Sequence, residues 1–303
     1  MFNKFFIKCL LIIPLFLLLI NIYNFYFPND YRNDLYLSNS YFSEKNKKIL
    51  DFHSEGNRSE ILQYKDAIKK FDELYSIHGE SFKFLNEASK VYFISKLPSE
   101  NSWQKKYSKI KFQENWVLYF FRLFEEIQFK NGEKSKYNGA YIFYHSSDYR
   151  FALKRGISLC SQDAISFANL IKSRYNINYN IIGLSGHVLM QAKIKNKYYL
   201  SDPNMGLTFD FDIEEYYNNE LNQLKIKKAY TKIGRTDLIN YFDKKGNRIF
   251  QYTGPRSKDS TFNPDTITFY SNYIKWLLPI LFLLIGLRLN YKSLKVYFLK
   301  NFL

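Results

Sequence analysis

Two long apolar runs lie near the ends of a chain whose middle mixes polar and apolar residues. The first extends from Phe5 to Phe27, and the second is Trp276–Leu287, lengthened by Tyr270, Tyr273 and Ile274. A membrane span needs roughly 20 apolar residues, so both runs predict spanning helices. A cleaved signal peptide is the alternative for the first run, although no small-residue cleavage site follows it. A buried or interfacial helix is the alternative for the second.

Apolar residues recur at helical spacing between residues 59 and 132 and predict three packing helices. The first is capped by Ser59 and ends at Gly79, with its apolar stripe at Ile61, Tyr64, Ile68, Phe71 and Tyr75. The second covers about Ser81 to Leu97 and stops at Pro98. The third covers about Trp103 to Lys130, with a stripe that we assign to the core: Trp116, Phe120, Leu123 and Ile127.

Strand patterns appear after Gly132. Ala140–His145 and Asn180–Leu184 predict strands, and His187–Ile194 with Tyr198–Asp202 predicts a hairpin that turns at Lys195-Asn196-Lys197. A helix precedes the hairpin and begins at Cys160, with Ala164, Phe167, Ala168 and Ile171 on one face. A helix followed by antiparallel strands predicts the α+β class.

These patterns divide the chain into six segments. We expect an N-terminal transmembrane anchor at 1–28, a polar linker at 29–58 and a helical subdomain at 59–132. The core then occupies 133–210, a peripheral α/β extension 211–268, and a C-terminal transmembrane helix with its tail 269–303.

The charge distribution indicates which classes of partner the chain is expected to bind. Of 303 residues 46% are hydrophobic, and the formal net charge is +16. The ends of the chain carry basic residues and no acid, whereas the remaining excess is scattered through the middle without a basic stripe. Nucleic-acid binding is therefore not expected. Basic residues beside spans favour the cytoplasm, so both termini are predicted to be cytoplasmic and the middle extracytoplasmic.

The middle, from about Pro28 to Phe269, contains one cysteine, Cys160, because Cys9 lies in the first span. A helix N-terminus and a nearby imidazole both favour the thiolate, which is the reactive form. His187 begins the predicted hairpin and Asp202 ends it, so a carboxylate can orient the imidazole. The sequence thus predicts a Cys160–His187–Asp202 triad.

Three stretches carry a family resemblance: GISLCSQDAISFANLIKSRYNINYNIIGL, SGHVLMQAKI and KYYLSDPNMG. In order and spacing they resemble the transglutaminase-like superfamily, with Cys at a helix start, His on a strand and Asp-Pro on the next, over about Trp116 to Gly206. Two departures are a glycine displaced to Gly156 and Leu189 in place of an aromatic residue. The resemblance implies a papain-like fold and acyl transfer through a thioester. It assigns Cys160 as nucleophile, His187 as general base and acid, and Asp202 as orienting group.

Other interpretations accompany this one. Cys160 is alternatively an inert buried thiol, and His53, His78 and His145 are interpreted as structural. Zinc binding by the three triad residues is disfavoured because structural zinc prefers four ligands. Calcium at the acidic run Asp210–Glu215 is disfavoured relative to a solvated face, so no cofactor is expected. The Cys160 N–H is a candidate oxyanion donor, with the second donor open between Trp116, Gln113 and Gln162.

The sequence therefore predicts an extracytoplasmic cysteine enzyme held in the membrane at both ends. Its expected substrate is an amide bond in a peptide, protein or envelope component, with hydrolysis ranked above transamidation. The alternative is an inactive transglutaminase-like module that binds a partner in envelope or polysaccharide assembly.

Overall fold

The computed structural model describes residues 2–34, 39, 47–49, 53, 61–97, 107–132, 148–242, 248–250 and 264–302. The chain forms two compact units. One comprises residues 1–29, 110–142 and 257–303, and the other comprises residues 30–109 and 143–256. They are called here the helical unit and the sheet unit. The expected strand Ala140–His145, with His145, and the expected cap Ser59 lie outside the described residues.

The described elements are, in chain order, α1 (Phe2–Tyr26), α2 (Tyr64–His78), α3 (Phe82–Ile94), α4 (Trp116–Lys130), α5 (Tyr149–Arg155), α6 (Cys160–Tyr175), β1 (Asn178–Gly183), β2 (Val188–Ile194), β3 (Lys197–Asp202), β4 (Leu207–Thr208), α7 (Ile213–Asn218), α8 (Glu220–Lys232), β5 (Arg248–Phe250) and α9 (Pro264–Phe302). Short 3₁₀ turns cover Tyr31–Asn33 and Thr236–Phe242.

Helices α1 and α9 form an antiparallel pair within the helical unit. Asn21 donates to the Lys275 carbonyl at 2.5 Å, and Gly286 packs so closely on Leu10 that a Cβ would lie 3.0 Å from its carbonyl oxygen. Small residues allow such close approach between apolar helices. Phe5–Tyr26 and Thr266–Tyr291 are both long and apolar enough to span a membrane, and most of each is not buried by protein. Both predicted apolar helices are therefore present, and α9 is longer than its apolar run.

The sheet unit contains five antiparallel strands in the order β4-β3-β2-β1-β5. Met190 pairs with Ser201 and Ile194 with Lys197 across β2 and β3. The turn between these strands uses Lys195 at φ 54°, a left-handed conformation that non-glycine residues seldom adopt. The predicted hairpin and the α+β class are confirmed, although the strand begins at Val188 and His187 lies just before it.

Both faces of the sheet are covered, because alternate residues of β2 belong to two different apolar clusters. Leu189 packs with residues of α8 such as Ile226. Met190 and Ala192 pack with residues of α6 such as Phe167. A fully buried side chain of the size of Leu189 or Met190 contributes roughly 1.5–3 kcal/mol through the hydrophobic effect, so burial on both faces stabilises the central strand between two helical layers.

Two predicted helix boundaries require correction. The first packing helix ends at Gly79 as predicted, but residues 61–63 are not helical, so it begins at Tyr64. The third does not include residues 110–115, because Asn115 caps α4 by accepting from the Leu118 N–H at 3.2 Å. The second helix agrees more closely, since the Ser81 hydroxyl accepts from the Phe84 N–H at the start of α3.

The apolar stripe predicted on the third helix is also wrong. Trp116 is buried, but Phe120 and Ile127 are 55% and 57% exposed. Arg122 and Glu125 are buried instead. Helical spacing identifies a common face correctly, but it does not say which face the protein covers.

The segment expected to be a linker contributes to the sheet unit where it is described. Arg32 is 5% exposed and pairs with Asp30 at 2.8 Å. Its guanidinium also donates to the carbonyls of Leu62, Ser95 and Lys154 at 2.9–3.1 Å. A buried cation with this many acceptors fixes residues 30–34 against three separate stretches of the chain.

Candidate active site

Cys160 is the first residue of α6 and is partly exposed. Gly156, at φ 66°, ends α5, and three residues then lead to α6. The N-cap residue, Leu159, has no side-chain acceptor, so the first-turn N–H groups are not capped from that position. These groups carry the positive end of the helix dipole. The thiol therefore lies where negative charge is stabilised.

His187 reaches the site from the connection between β1 and β2. The Leu184 N–H donates to the His187 carbonyl at 2.8 Å and closes this connection. Gly186 precedes it and packs against the ring of Tyr241, leaving no space for a Cβ. The His187 side chain is 3% exposed. The connection that carries His187 is thus closed by a backbone hydrogen bond and by packing next to it.

Asp202 ends β3 and binds the imidazole. Its Oδ2 lies 2.8 Å from Nε2 of His187, and it also accepts from the Tyr230 hydroxyl at 2.6 Å. The second oxygen, Oδ1, accepts the backbone N–H groups of Asn204 and Met205 at 3.1 and 3.3 Å. Four donors on a carboxylate that is 1% exposed keep it ionised and fixed in orientation.

Burial alone would lower the pKa of His187, because it penalises the imidazolium, but its partners outweigh this effect. The charge of Asp202, the hydrogen bond to it, and a hydrogen bond with Cys160 raise the pKa of His187 to about 10. Since Asp202 occupies Nε2, Nδ1 is the ring nitrogen left for the thiol. The pKa of Asp202 would rise on burial, but His187 and then Tyr230 and Lys96 lower it below its ordinary value.

A buried ion pair lies next to these three residues and is linked to Asp202 by hydrogen bonds. Lys96 forms an ion pair with Asp163 at 2.8 Å, and their side chains are 1% and 0% exposed. Asp163 also accepts from the Ser158 hydroxyl and from the side-chain amide of Asn204. Because the backbone N–H of Asn204 binds Asp202, this residue links the ion pair to the triad carboxylate.

The structure therefore brings together all three residues predicted from sequence. It adds four that the sequence reasoning missed: Lys96, Asp163, Asn204 and Tyr230. Asp163 lies three positions after Cys160, and Asn204 two after Asp202, so their proximity to the motif was an available signal. Lys96 and Tyr230 had no such signal. Tyr230 lies in the segment that we expected to be peripheral, which also contributes β5 to the sheet.

The candidate oxyanion donors differ in their placement. The Cys160 N–H is in the first turn of α6, where helical N–H groups have no intrahelical acceptor. Gln162 is in the same turn, and its Oε1 accepts from the Leu159 N–H at 2.8 Å. Trp116 and Gln113 belong to the helical unit, and their participation stays a prediction.

The remaining histidine and acidic candidates have structural partners. His53 Nε2 lies 2.6 Å from the Met205 carbonyl, and burial lowers its pKa to about 4, which favours the neutral ring. In the acidic run, Asp210 pairs with Lys225 at 2.9 Å and Asp212 caps α7. Among the described residues no group of three or more His, Cys, Asp or Glu side chains is placed to hold a metal ion.

Comparison of the chain with protein-family models, with curated proteins and with solved structures finds no significant match.

Proposed function

We propose that this chain is a membrane-anchored cysteine acyl-transfer enzyme with a papain-like, transglutaminase-like core. The observation that carries the proposal is the convergence of Cys160, His187 and Asp202. A partly exposed thiol at a helix start interacts with a buried imidazole, whose other nitrogen lies 2.8 Å from a buried carboxylate. A nucleophile, a base and an orienting group in this arrangement are the elements of nucleophilic catalysis.

The proposed reaction has two stages. The Cys160 thiolate attacks the carbonyl carbon of an amide, and the N–H groups at the start of α6 stabilise the oxyanion. The His187 imidazolium then donates its proton to the leaving amine, so the C–N bond breaks and a thioester remains. In the second stage His187 takes a proton from water, which attacks the thioester and releases the acid and the thiolate.

Hydrolysis ranks above transamidation in this proposal. Water is the available acceptor at any exposed thioester, whereas an amine acceptor needs a binding site of its own. The buried His187 and Asp202 leave the thiol as the exposed member of the triad, so a substrate carbonyl approaches from the side of Cys160. The substrate class we propose is an amide bond in a peptide, protein or envelope component.

The proposed location follows from α1 and α9. They form an antiparallel pair of apolar helices, which puts the Phe2 end of α1 and the Phe302 end of α9 on the same side. Basic residues cluster at those two ends. By the positive-inside tendency this side is cytoplasmic, and the sheet unit is extracytoplasmic.

The first test measures alkylation of Cys160 by iodoacetamide against pH in the full chain. A Cys9→Ser background leaves Cys160 as the one thiol, since the sequence contains two cysteines. An unassisted thiol is less than about 1% ionised at pH 6. We therefore expect Cys160 to react readily at pH 6 and His187→Ala to slow the reaction at least about tenfold.

His78→Ala is the matched control, because His78 is a partly exposed histidine at the end of α2. It should leave the rate unchanged. Equal rates with and without His187, or an unreactive Cys160, would contradict the enzyme and favour a binding module. A stoichiometric burst of nitrophenolate from p-nitrophenyl acetate, absent in Cys160→Ala, would support the acyl-enzyme directly.

A further inference from the structure

Helix α4 has the reverse of the usual distribution of polar and apolar side chains. Phe120, Phe124 and Ile127 recur at positions i, i+4 and i+7 and therefore share one face, and they are 54–57% exposed. Glu125 is 0% and Arg122 8% exposed on the same helix. In a helix surrounded by water the apolar face is covered and the charged face is exposed.

The charged residues Arg122, Glu125 and Glu126 of α4 have partners within the protein. The Arg122 guanidinium lies 4.6 Å from the ring centre of Tyr119 and forms a long ion pair with Glu126 at 3.9 Å. The polar side of α4 is thus satisfied by contacts inside the helical unit. The apolar side formed by Phe120, Phe124 and Ile127 is a contiguous exposed surface that needs an explanation.

Helix α4 is fixed to one end of the α1–α9 pair. Its cap residue Asn115 donates to Ser271 Oγ at 2.9 Å and contacts Asn272 Oδ1 at 3.2 Å. The preceding residue, Glu114, receives Lys275 Nζ on its carbonyl at 3.2 Å. Ser271 lies near the start of the apolar part of α9, so α4 begins at the level where that helix would enter a membrane.

Helix α4 is too short to be a third span. It has 15 residues, four of them charged, whereas a span needs roughly 20 apolar residues. A short helix with one aromatic and aliphatic face is the pattern of a helix lying in a membrane interface.

We infer that α4 is an interfacial helix whose Phe120–Phe124–Ile127 face inserts into the lipid bilayer beside the α1–α9 pair. The occupant of this face is lipid, because the exposed apolar surfaces of α1 and α9 belong to the same compact unit and would contact the same bilayer. The expected depth is about 5–10 Å, at the boundary of headgroups and acyl chains. This inference rests on the proposed membrane anchoring and is independent of the proposed catalysis.

The test places nitroxide labels on the full chain in phosphatidylcholine liposomes. In a Cys9→Ser, Cys160→Ser background, single cysteines replace Phe120, Phe124 or Ile127, and collision with oxygen is compared with collision with a water-soluble nickel complex. Oxygen concentrates in hydrocarbon and the complex in water. The prediction is that oxygen dominates at all three positions.

Two reference positions give the comparison. Gln113→Cys, exposed before α4, and Leu221→Cys, a 69% exposed apolar site of α8 in the sheet unit, should both favour the nickel complex. The replaced residues are exposed, so the variants should fold. Dominance of the nickel complex at Phe124 and Ile127 would overturn the inference. Exclusion of both reagents would also overturn it, since a second copy or another protein would then cover the face.

A label at Leu281 in α9 distinguishes the inference about α4 from the proposed membrane anchoring. Leu281 is 52% exposed and should collide with oxygen if α9 spans the bilayer. A lipid-exposed Leu281 with a water-exposed Phe124 would refute the interfacial helix and leave the anchors standing. A water-exposed Leu281 would refute the proposed anchoring and the interfacial helix with it.

Discussion

The Tyr230 hydroxyl donates to Oδ2 of Asp202 at 2.6 Å, and this is the same oxygen that binds Nε2 of His187 at 2.8 Å. The tyrosine is fully buried, and its ring packs between Phe209 and Phe242. A residue of α8 therefore helps to orient the Asp202 carboxylate, which in turn orients the His187 imidazole. The sheet unit thus builds its site from both of its helical layers.

Tyr230→Phe should lower the free energy of unfolding by about 1.5–3 kcal/mol, because a hydrogen bond to a buried charge is lost while the ring remains. The bond from Tyr230 lowers the pKa of Asp202, so its contribution to stability is present above the ordinary carboxyl range and is lost as pH falls. The variant should therefore unfold at a higher pH on acidification. Thermal melts against pH would show this, with Tyr198→Phe on β3 as the control. Identical acid midpoints would contradict the prediction.

Lys96→Met and Asp163→Asn should each destabilise the chain by about 3–5 kcal/mol, since either change leaves a buried charge without its partner. The double variant should lose less than the sum of the two single variants. A double-mutant cycle of unfolding free energies measures the difference. Additive losses would show that the 2.8 Å ion pair contributes no coupling.

The stability of the chain should decline at alkaline pH because of His187. Its pKa is raised from its ordinary value of 6.5 to about 10, so the folded state binds the proton more tightly than the unfolded state. The contribution is complete below pH 6.5 and disappears as pH rises through about 10, with a size on the order of a few kcal/mol. His187→Gln should flatten the thermal midpoint between pH 7 and 10. His78→Gln should retain the wild-type slope, and a wild-type slope in His187→Gln would refute the assignment.

Reporter fusions should place Arg150 and the C-terminus on opposite sides of the membrane. Arg150 belongs to the sheet unit, and the C-terminus follows the basic end of α9. A periplasm-active reporter should work after Arg150 and fail at the C-terminus, and a cytoplasm-active reporter should do the reverse. The same reporter working at both positions would refute two spans.

The differences between the predicted and the observed elements have physical causes. The stripe on α4 was assigned to the core because periodicity shows which residues share a face, whereas Phe120 and Ile127 are exposed. The start of α4 was placed too early because Asn115, its cap, follows a stretch that also mixes apolar and charged residues. The pattern predicts His187 as the first residue of a strand, whereas the Leu184–His187 backbone hydrogen bond makes it the last residue of the connection before Val188.

The sequence by itself determined the features that depend on neighbours along the chain. The two apolar helices, the helix that begins at Cys160 and the β2–β3 hairpin follow from composition and spacing. The turn of a hairpin sets the register, that is, which residues of the two strands lie opposite each other. The hairpin pattern therefore predicts that Asp202 lies close to His187. Local spacing was therefore sufficient to predict that Cys160, His187 and Asp202 lie close together.

Only the tertiary structure decided which residues surround that triad. Lys96 lies just after α3 and Tyr230 lies in α8, both distant from Cys160 in sequence. Each meets the site only because the two helical layers close on the sheet. A buried ion pair and a buried hydroxyl become favourable only when packing excludes water and supplies every hydrogen-bond partner. That condition is set by contacts between distant elements, and no short stretch of sequence contains it.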